Sequence, residues 1–209
     1  MTFEVDVSDP YFIDNWVEKL GLECANKSTL GLIGSSFFLG IFAGLFFVPD
    51  LADSLGRKPV WVANLIVSIV CQVGLYLSTN FSLSLVLLAI WGVMWNAKFI
   101  VGLSYAEEFL PNSLKKDYVA FTHMSGTLIT IVVPLMYLLI SPSWRPSNLI
   151  GILQTLASLA ICPFLVPESP KYLLTQGKFG EARKSLQKIA SVNGMGSEVM
   201  SEISKVKFV

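Results

Sequence analysis

Hydrophobic residues gather in five long runs, which short polar stretches separate. A membrane-crossing helix needs about 20 mostly apolar residues, because each residue adds about 1.5 Å of rise across a hydrocarbon core about 30 Å thick. In lipid, backbone N–H and C=O groups have to pair within their own segment, which favours helices. The pattern therefore predicts an all-α membrane protein with five transmembrane helices, at approximately Leu30–Val48, Val60–Leu77, Phe81–Ser104, Val119–Ile140 and Leu149–Val166.

More polar segments flank this hydrophobic region. We expect an outer-side polar arm over residues 1–28, a five-helix membrane domain over 29–166 and an inner-side tail over 167–209. Within the tail, apolar residues recur every three or four positions over Lys178–Val192, which is the spacing of an amphipathic helix, and the Asn-Gly pair at 193–194 is a typical helix stop. This helix either packs on the inner ends of the spans or anchors the tail to the lipid surface. We favour packing, because the apolar stripe is narrow and lacks Trp.

The composition indicates a membrane protein and argues against several other classes. Hydrophobic residues make up 53% of the 209 residues and charged residues only 14%, which is too apolar for a water-soluble domain of this size. The formal net charge is zero, so we expect no nucleic-acid partner. The three Cys and the single His have no metal-ligand spacing, and no arrangement of catalytic residues indicates an enzyme. We predict a lipid bilayer as partner and neither a cofactor nor a metal.

Lys and Arg residues are distributed unevenly between the two sets of connecting segments. Eleven of the fifteen lie in the stretches Pro49–Pro59 and Tyr105–Tyr118 and in the tail, whereas three lie on the opposite side, at Lys19, Lys27 and Arg145. The positive-inside rule then predicts that the arm is outside or in the intermembrane space, and that the tail is in the cytosol or the mitochondrial matrix. The sequence leaves the plasma membrane and the mitochondrial inner membrane both open.

The segment between the first two spans carries a motif. Asp53, Gly56, Arg57 and Lys58 stand at the spacing Asp-x-x-Gly-Arg-Lys. Asp53 can neutralise a helix end, Gly56 permits a tight turn, and the basic pair suits lipid phosphates and acidic helix ends. This segment resembles the signature loop of the major facilitator superfamily, which links helices two and three on the inner side. Pro49 stands where that family usually has glycine, and we expect it to kink the end of the first span.

A second motif resembles the sugar and organic-ion branches of the same superfamily. Tyr105, Glu108 and Pro111 are followed by Lys115, at the spacing Tyr-x-x-Glu-x-x-Pro-x-x-x-Lys. In those branches the last position is arginine and the stretch links helices four and five. Lysine keeps the charge but lacks the planar fork that holds a carboxylate with two bonds, so we expect a weaker clamp.

A third motif directly follows the last span and is the most specific of the three. It is similar to the Pro-Glu-Ser-Pro-Arg-Trp-Leu sequence that follows helix six in those branches. Here it consists of Pro167, Glu168, Ser169, Pro170 and Lys171, followed by Tyr-Leu. The motifs occur in the family's order and bracket the five spans, so the resemblance covers nearly the whole chain.

The resemblance implies that the five spans correspond to helices two to six of the amino-terminal half of a major facilitator transporter, with helix one and the second half absent. It implies a carrier of an organic ion or sugar-like solute, whose inner-face motifs act in gating. We expect such a chain not to transport alone. The alternative is a transport-inactive structural subunit of a larger membrane complex, in the mitochondrial inner membrane for example, which Pro49 and Lys115 favour.

One charged residue, Lys98, lies within a predicted span. It either pairs with Glu108 or Glu168 across the inner mouth, or it extends along the helix to the inner lipid headgroups. The other polar groups of the spans are more simply explained as hydrogen bonds between helices than as solute contacts. They are Asn64, Gln72 and Asn96.

Overall fold

The computed structural model of the chain describes residues 12–205 and is helical throughout its regular structure. In chain order the helices are α1 Trp16–Lys19, α2 Lys27–Gly44, α3 Val48–Leu55, α4 Arg57–Leu77, α5 Phe81–Asn96, a π-helical turn Ala97–Val101, α6 Gly102–Glu107, α7 Asn112–Leu139, α8 Trp144–Leu165, α9 Pro170–Thr175, α10 Phe179–Val192 and α11 Ser197–Lys205.

Five helices are long and apolar enough to cross a membrane, as the hydrophobic pattern predicted. They are α2, α4, the continuous α5–π–α6 segment, α7 and α8. The first boundary differs from the prediction: α2 ends at Gly44, and Val48–Leu55 forms a helix of its own with Pro49 in its first turn. Proline is favoured there because the first N–H groups of a helix have no intrahelical acceptor. Pro49 therefore begins a helix, and the expected kink at the end of a span reaching Val48 is wrong.

Helices α2 and α5 form the closest pair in the bundle. Gly40 and Gly44 are buried, and a Cβ at Gly40 would lie 1.9 Å from the carbonyl oxygen of Ala89. The approach is reciprocal, since a Cβ at Gly92 would lie 2.1 Å from the carbonyl oxygen of Phe37. The two glycines of α2, spaced four residues apart, thus form a small-residue interface, at which two backbones touch.

Polar residues of the spans tie neighbouring helices together. The Asn96 side-chain amide donates to the Ile41 carbonyl of α2 at 2.7 Å, and the Gln72 amide donates to Thr155 Oγ1 of α8 at 3.4 Å. The expectation of interhelical hydrogen bonds is confirmed for both. Asn64 differs, because its oxygen accepts from Ser68 within the same helix at 3.3 Å.

The described part of the polar arm docks on the helix ends at one side of the bundle. Asp14 Oδ2 accepts from Ser143 Oγ at 2.6 Å and lies 3.3 Å from Arg145 Nε, at the start of α8. Lys19 Nζ donates to the carbonyls of Leu75 and Tyr76 at the end of α4, and its distance to the Tyr76 oxygen is 2.9 Å. Since terminal carbonyls carry partial negative charge, a cation there stabilises the helix. Burial and the neighbouring Arg145 hold the pKa of Lys19 below its usual range.

Helix α10 confirms the amphipathic helix that the tail pattern predicted. Its buried face includes Ala182 and Ala190, and it packs against α9. Lys188 Nζ donates to the Phe164 carbonyl in the last turn of α8 at 2.5 Å. These contacts correspond to packing on a span end, which is the alternative that we favoured. Helix α11 was not predicted.

Helix α7 is the exception to this packing. None of its 28 residues is buried, and its main contact with the described bundle is with α6, with a further contact between the His123 and Phe99 rings. Its length and apolar surface nevertheless match a membrane span. Large apolar residues such as Phe121 and Leu138 are exposed along it, so the described residues cover little of this helix.

The α2–α5 interface generates a stability prediction. Replacing Gly40 by Ala is expected to lower the free energy of unfolding by about 1–3 kcal/mol, because the new methyl group has to displace backbone atoms of Ala89. The measurement is equilibrium unfolding in mixed micelles. Gly34→Ala is the matched control, since a Cβ there meets nothing within 4 Å, and it should leave stability unchanged or raise it by up to about 1 kcal/mol. Equal losses in the two variants would contradict this interface.

Candidate functional site

Segments that are far apart in the sequence meet at the end of the bundle opposite the arm. We call this site the junction and define it by six of the predicted residues: Asp53, Gly56, Arg57, Lys58, Glu108 and Glu168. Arg57 contacts the other two motifs directly, because its backbone N–H lies 3.1 Å from Glu168 Oε1 and its Nε lies 3.6 Å from Glu108 Oε1. The structure therefore brings together one charged residue of each motif.

The Glu168 carboxylate caps the beginning of α4. Its oxygens accept from the backbone N–H groups of Arg57 at 3.1 Å and Lys58 at 3.2 Å, and from that of Ser169 at 2.9 Å. The first N–H groups of a helix have no partner within the helix and carry partial positive charge. A half-buried anion at this position thus satisfies the donors and the helix dipole together, while it fixes the segment after α8 to the start of α4.

Gly56 makes room for this cap. Its backbone has φ +108° and ψ +156°, a region that is essentially restricted to glycine. A Cβ at this position would lie 2.6 Å from Glu168 Oε2 and 3.2 Å from the Tyr172 ring. Glycine is required here for its conformation and also for the space that the carboxylate occupies.

The Arg57 side chain joins three groups. Its Nη1 atom lies 2.5 Å from Asp53 Oδ1 and donates to the Ala52 carbonyl at 3.0 Å, and its guanidinium lies 5.4 Å from the centre of the Tyr172 ring. The Asp53 side chain is 68% exposed, so solvent weakens that pair. Glu108 is only 11% exposed, but the pair has no hydrogen bond, since Arg57 Nε and Glu108 Oε2 both lack a partner. The Arg57–Glu108 contact is therefore an ion pair of loose geometry.

Lysine side chains cap the end of α8 at the junction. Pro163 lies inside α8, and its carbonyl accepts from Lys58 Nζ at 2.6 Å. The neighbouring Phe164 carbonyl accepts from Lys188 of α10. A cation near the carboxyl terminus of a helix offsets the partial negative charge of its free carbonyls. Lys58 thus joins the start of α4 to the end of α8.

The third motif also starts α9. Ser169 is the N-cap, with its hydroxyl oxygen accepting from the Tyr172 N–H at 3.2 Å, and Pro170 occupies the first turn, where proline is favoured. The Glu168 carbonyl accepts from Ser185 Oγ of α10 at 2.5 Å, and the Pro167 carbonyl accepts from Tyr105 Oη at 2.5 Å. The motif is therefore held from both sides.

The remaining predicted residues lie outside this network. Pro111 is the N-cap residue of α7, and neither Lys115 nor Lys171 forms an ion pair within residues 12–205. Lys98 pairs with neither Glu108 nor Glu168 in the described chain, so that expectation is not met. Glu168 is occupied by backbone N–H groups and Glu108 faces Arg57.

Sequence reasoning missed several residues that complete the junction. Tyr172 Oη donates to the Ser54 carbonyl at 3.0 Å and so ties α9 to α3. From α10, Ser185 donates to the Glu168 carbonyl and Lys188 donates to the Phe164 carbonyl in the last turn of α8. The tyrosine stands inside the third motif and could have been singled out there. The two α10 residues carry no signal, because their role depends on where α10 docks.

Two cavities lie beside the junction and deeper in the bundle. The larger, about 790 Å³, is mostly apolar and is lined by residues of α4, α6, α7, α8 and α10, including Trp61, Phe109 and Ile189. The smaller, about 160 Å³, lies between α4, α5 and α8 and has a mixed polar and apolar lining. Lys98 borders both of them.

A comparison with known families decides the identity of the bundle. The sequence profile of the family described as "Sugar (and other) transporter" matches residues 7–209. The chain belongs to this family. The sugar transporter family is part of the major facilitator superfamily, so the resemblance drawn from the three motifs is confirmed, and the chain is a transporter homologue and not an enzyme.

Individual relatives of this transporter family are similar at low identity over most of the chain. "Solute carrier family 22 member 4" of Mus musculus is 28% identical over 186 residues, which is 88% of this chain and 33% of the relative. "Solute carrier family 22 member 2" of Homo sapiens is 28% identical over 184 residues, or 85% and 32%. "Organic cation transporter 1" of Caenorhabditis elegans is 24% identical over 200 residues, or 95% and 34%. The chain spans about a third of the length of these relatives.

The junction of this sugar transporter family member can be tested at Gly56. Gly56→Ala is expected to lower the free energy of unfolding by about 1–3 kcal/mol from backbone strain and by a further amount from its contact with Glu168. Gly177→Ala is the matched control: its φ is +70°, but a Cβ there meets nothing within 4 Å, so it should cost only about 1–2 kcal/mol. Chemical denaturation in micelles measures both. If the control cost as much as Gly56→Ala, Glu168 would not occupy that space.

Proposed function

We propose that this chain supplies part of the membrane wall of a major facilitator carrier for an organic ion or a sugar-like solute. The observation that carries the proposal is the family match over residues 7–209, together with the meeting of all three family motifs at one junction. Among the relatives, the name of the Caenorhabditis elegans protein states organic cation transport. It supports an organic ion as the solute class.

The hydrogen bonds of the junction join helix ends, so the bundle can move as one rigid body. Glu168 and Lys58 fasten the start of α4 to the end of α8, and Tyr105 ties the end of the α5–π–α6 span to the same segment. In major facilitator transporters, two such bodies rock around a solute near the midplane. A body whose helix ends are bonded together transmits this motion without separating its own helices.

The described bundle is incomplete as a transport pathway on its own. None of the residues of α7 is buried, and it has few contacts with the described helices, among them α6 and the Phe99 ring, which lies 5.4 Å from the His123 ring. We therefore propose that the solute pathway requires further helices packed on α7, and that the five spans described do not transport alone. The matched relatives are about three times as long as the aligned region, which is consistent with this requirement.

The second candidate is a transport-inactive subunit of a larger membrane complex. The lack of an ion pair at Lys115 favours it, because the position at which the family has arginine holds no carboxylate in the described chain. This subunit would use the junction only for rigidity. The two candidates differ in whether the bundle can take part in solute movement.

A chimeric transporter tests the choice. The aligned segment of the Caenorhabditis elegans organic cation transporter 1 is replaced by this chain, and uptake of tetraethylammonium is measured per molecule at the cell surface. We expect uptake above that of mock-transfected cells from the chimera and none from this chain alone. A chimera that reaches the surface but takes up nothing would favour the structural subunit. Uptake by this chain alone would refute the need for further helices.

The positive-inside distribution adds a proposal on orientation, with the arm outside and the junction inside. Cys24 is exposed in the arm, whereas Cys71 is buried in α4 and Cys162 lies in α8. A membrane-impermeant maleimide applied to the outer side of sealed vesicles is expected to label the protein, and Cys24→Ser should abolish this labelling. Labelling of Cys24 that appears only after the vesicles are opened would reverse the orientation.

A further inference from the structure

The smaller cavity is a chamber inside the bundle with a mixed polar and apolar lining, and the junction makes no use of it. It has a volume of about 160 Å³ and lies between α4, α5 and α8. Its uncharged polar lining comes from two helices, with Asn64, Ser68 and Gln72 on α4 and Asn148, Gln154 and Thr155 on α8. Trp91, Trp95 and Lys98 of the α5–π–α6 span complete it.

Two side-chain atoms in this chamber lack hydrogen-bond partners. Asn64 is only 2% exposed, and its amide nitrogen has no acceptor, while its oxygen is taken by Ser68. The Asn148 side-chain oxygen is also buried without a partner. An unsatisfied polar atom away from water is costly, so such groups are usually met by water or a ligand. The Asn64 amide is therefore a donor that is available to an occupant.

The charge around the chamber has one sign. Lys98 borders it, and no acidic side chain is among the residues described as lining either cavity. The acidic residues of the second and third family motifs are already engaged, Glu108 by Arg57 and Glu168 by the start of α4. Lys98 has no ion pair within residues 12–205. Because a cation at membrane depth is expensive without a counter-charge, an anionic occupant complements this site.

We propose that this chamber binds a small monocarboxylate. Lys98 supplies the positive charge, and the Asn64 amide donates a directed hydrogen bond to a carboxylate oxygen. Since one water molecule occupies about 30 Å³ of the liquid, the chamber of about 160 Å³ accommodates roughly five non-hydrogen atoms. Trp91 and Trp95 line the same space, so occupancy changes the surroundings of two indole rings.

This assignment goes beyond the proposed function, because it concerns a site inside the bundle and not the ion that the carrier moves, and it can be tested without transport. Loss of uptake by the chimera would leave a carboxylate site in the isolated chain intact. Conversely, uptake by the chimera could persist although the chamber binds no carboxylate. The two proposals therefore fail separately.

The experiment titrates the full chain in lipid nanodiscs with three size-matched probes and follows tryptophan fluorescence. Propionate, propionamide and tetramethylammonium each have five non-hydrogen atoms and differ in charge, and chloride is kept constant as the background anion. We expect a saturable change with propionate and none with the neutral amide or the cation. Trp91→Phe should reduce the change, since that ring lines the chamber.

Variants of Lys98 and Asn64 assign the site. Lys98→Gln is expected to weaken propionate binding by roughly tenfold or more, whereas Lys98→Arg keeps the charge and should retain most of it. Asn64→Ala should weaken binding with the charge intact. The matched control is Lys116→Gln on α7, which lines neither cavity. Three results would each overturn the proposal. The first is an equal fluorescence response to propionate and propionamide, and the second is unchanged propionate binding by Lys98→Gln. The third is a response as large as that to propionate when chloride is exchanged for nitrate.

Discussion

The fold depends on how helix ends are satisfied where the chain leaves the bilayer. At the start of α4, the Glu168 carboxylate accepts from the N–H groups of Arg57 and Lys58, which have no partner inside the helix. The same residue begins the segment that leads into α9, so one acceptor fixes two helix starts and the return from α8. Gly56 is necessary because only a residue without a side chain leaves the carboxylate its place. The family motif therefore has a local physical explanation.

At both ends of the bundle, lysine side chains cap the carboxyl terminus of a helix, which is α4 at one end and α8 at the other. Lys19 of the arm donates to the last carbonyls of α4, and Lys58 and Lys188 donate to carbonyls in the last turn of α8. In both places a flexible cation from another segment meets the negative end of a helix, which stabilises the helix and attaches the segment. The described parts of the arm and the tail are thereby attached to the bundle, although their sequences are polar.

The sequence predicted the number of spans and the identity of the family, because hydropathy and short motifs are local properties. It failed where a residue's role depends on a distant partner. Pro49 was interpreted as a kink at the end of a span, but it stands where proline starts a helix. For Lys98, pairing with Glu108 or Glu168 was one of two alternatives; however, backbone N–H groups engage Glu168 and Arg57 engages Glu108. No sequence pattern shows that the carboxylates of Glu108 and Glu168 already have other partners.

The π-helical turn Ala97–Val101 sets the angular relation between the two halves of the longest composite span. A π turn holds one surplus residue relative to an α-helix, and one residue corresponds to about 100° of rotation. Ahead of it, Gly92 and Asn96 face α2; beyond it, Gly102 lies against Trp61 of α4 and Tyr105 reaches the segment after α8. Removing the surplus residue would turn one set of contacts away from its partners. The rotation that this turn adds thus lets one span pack closely on α2 before the turn and contact α4 and the segment after α8 beyond it.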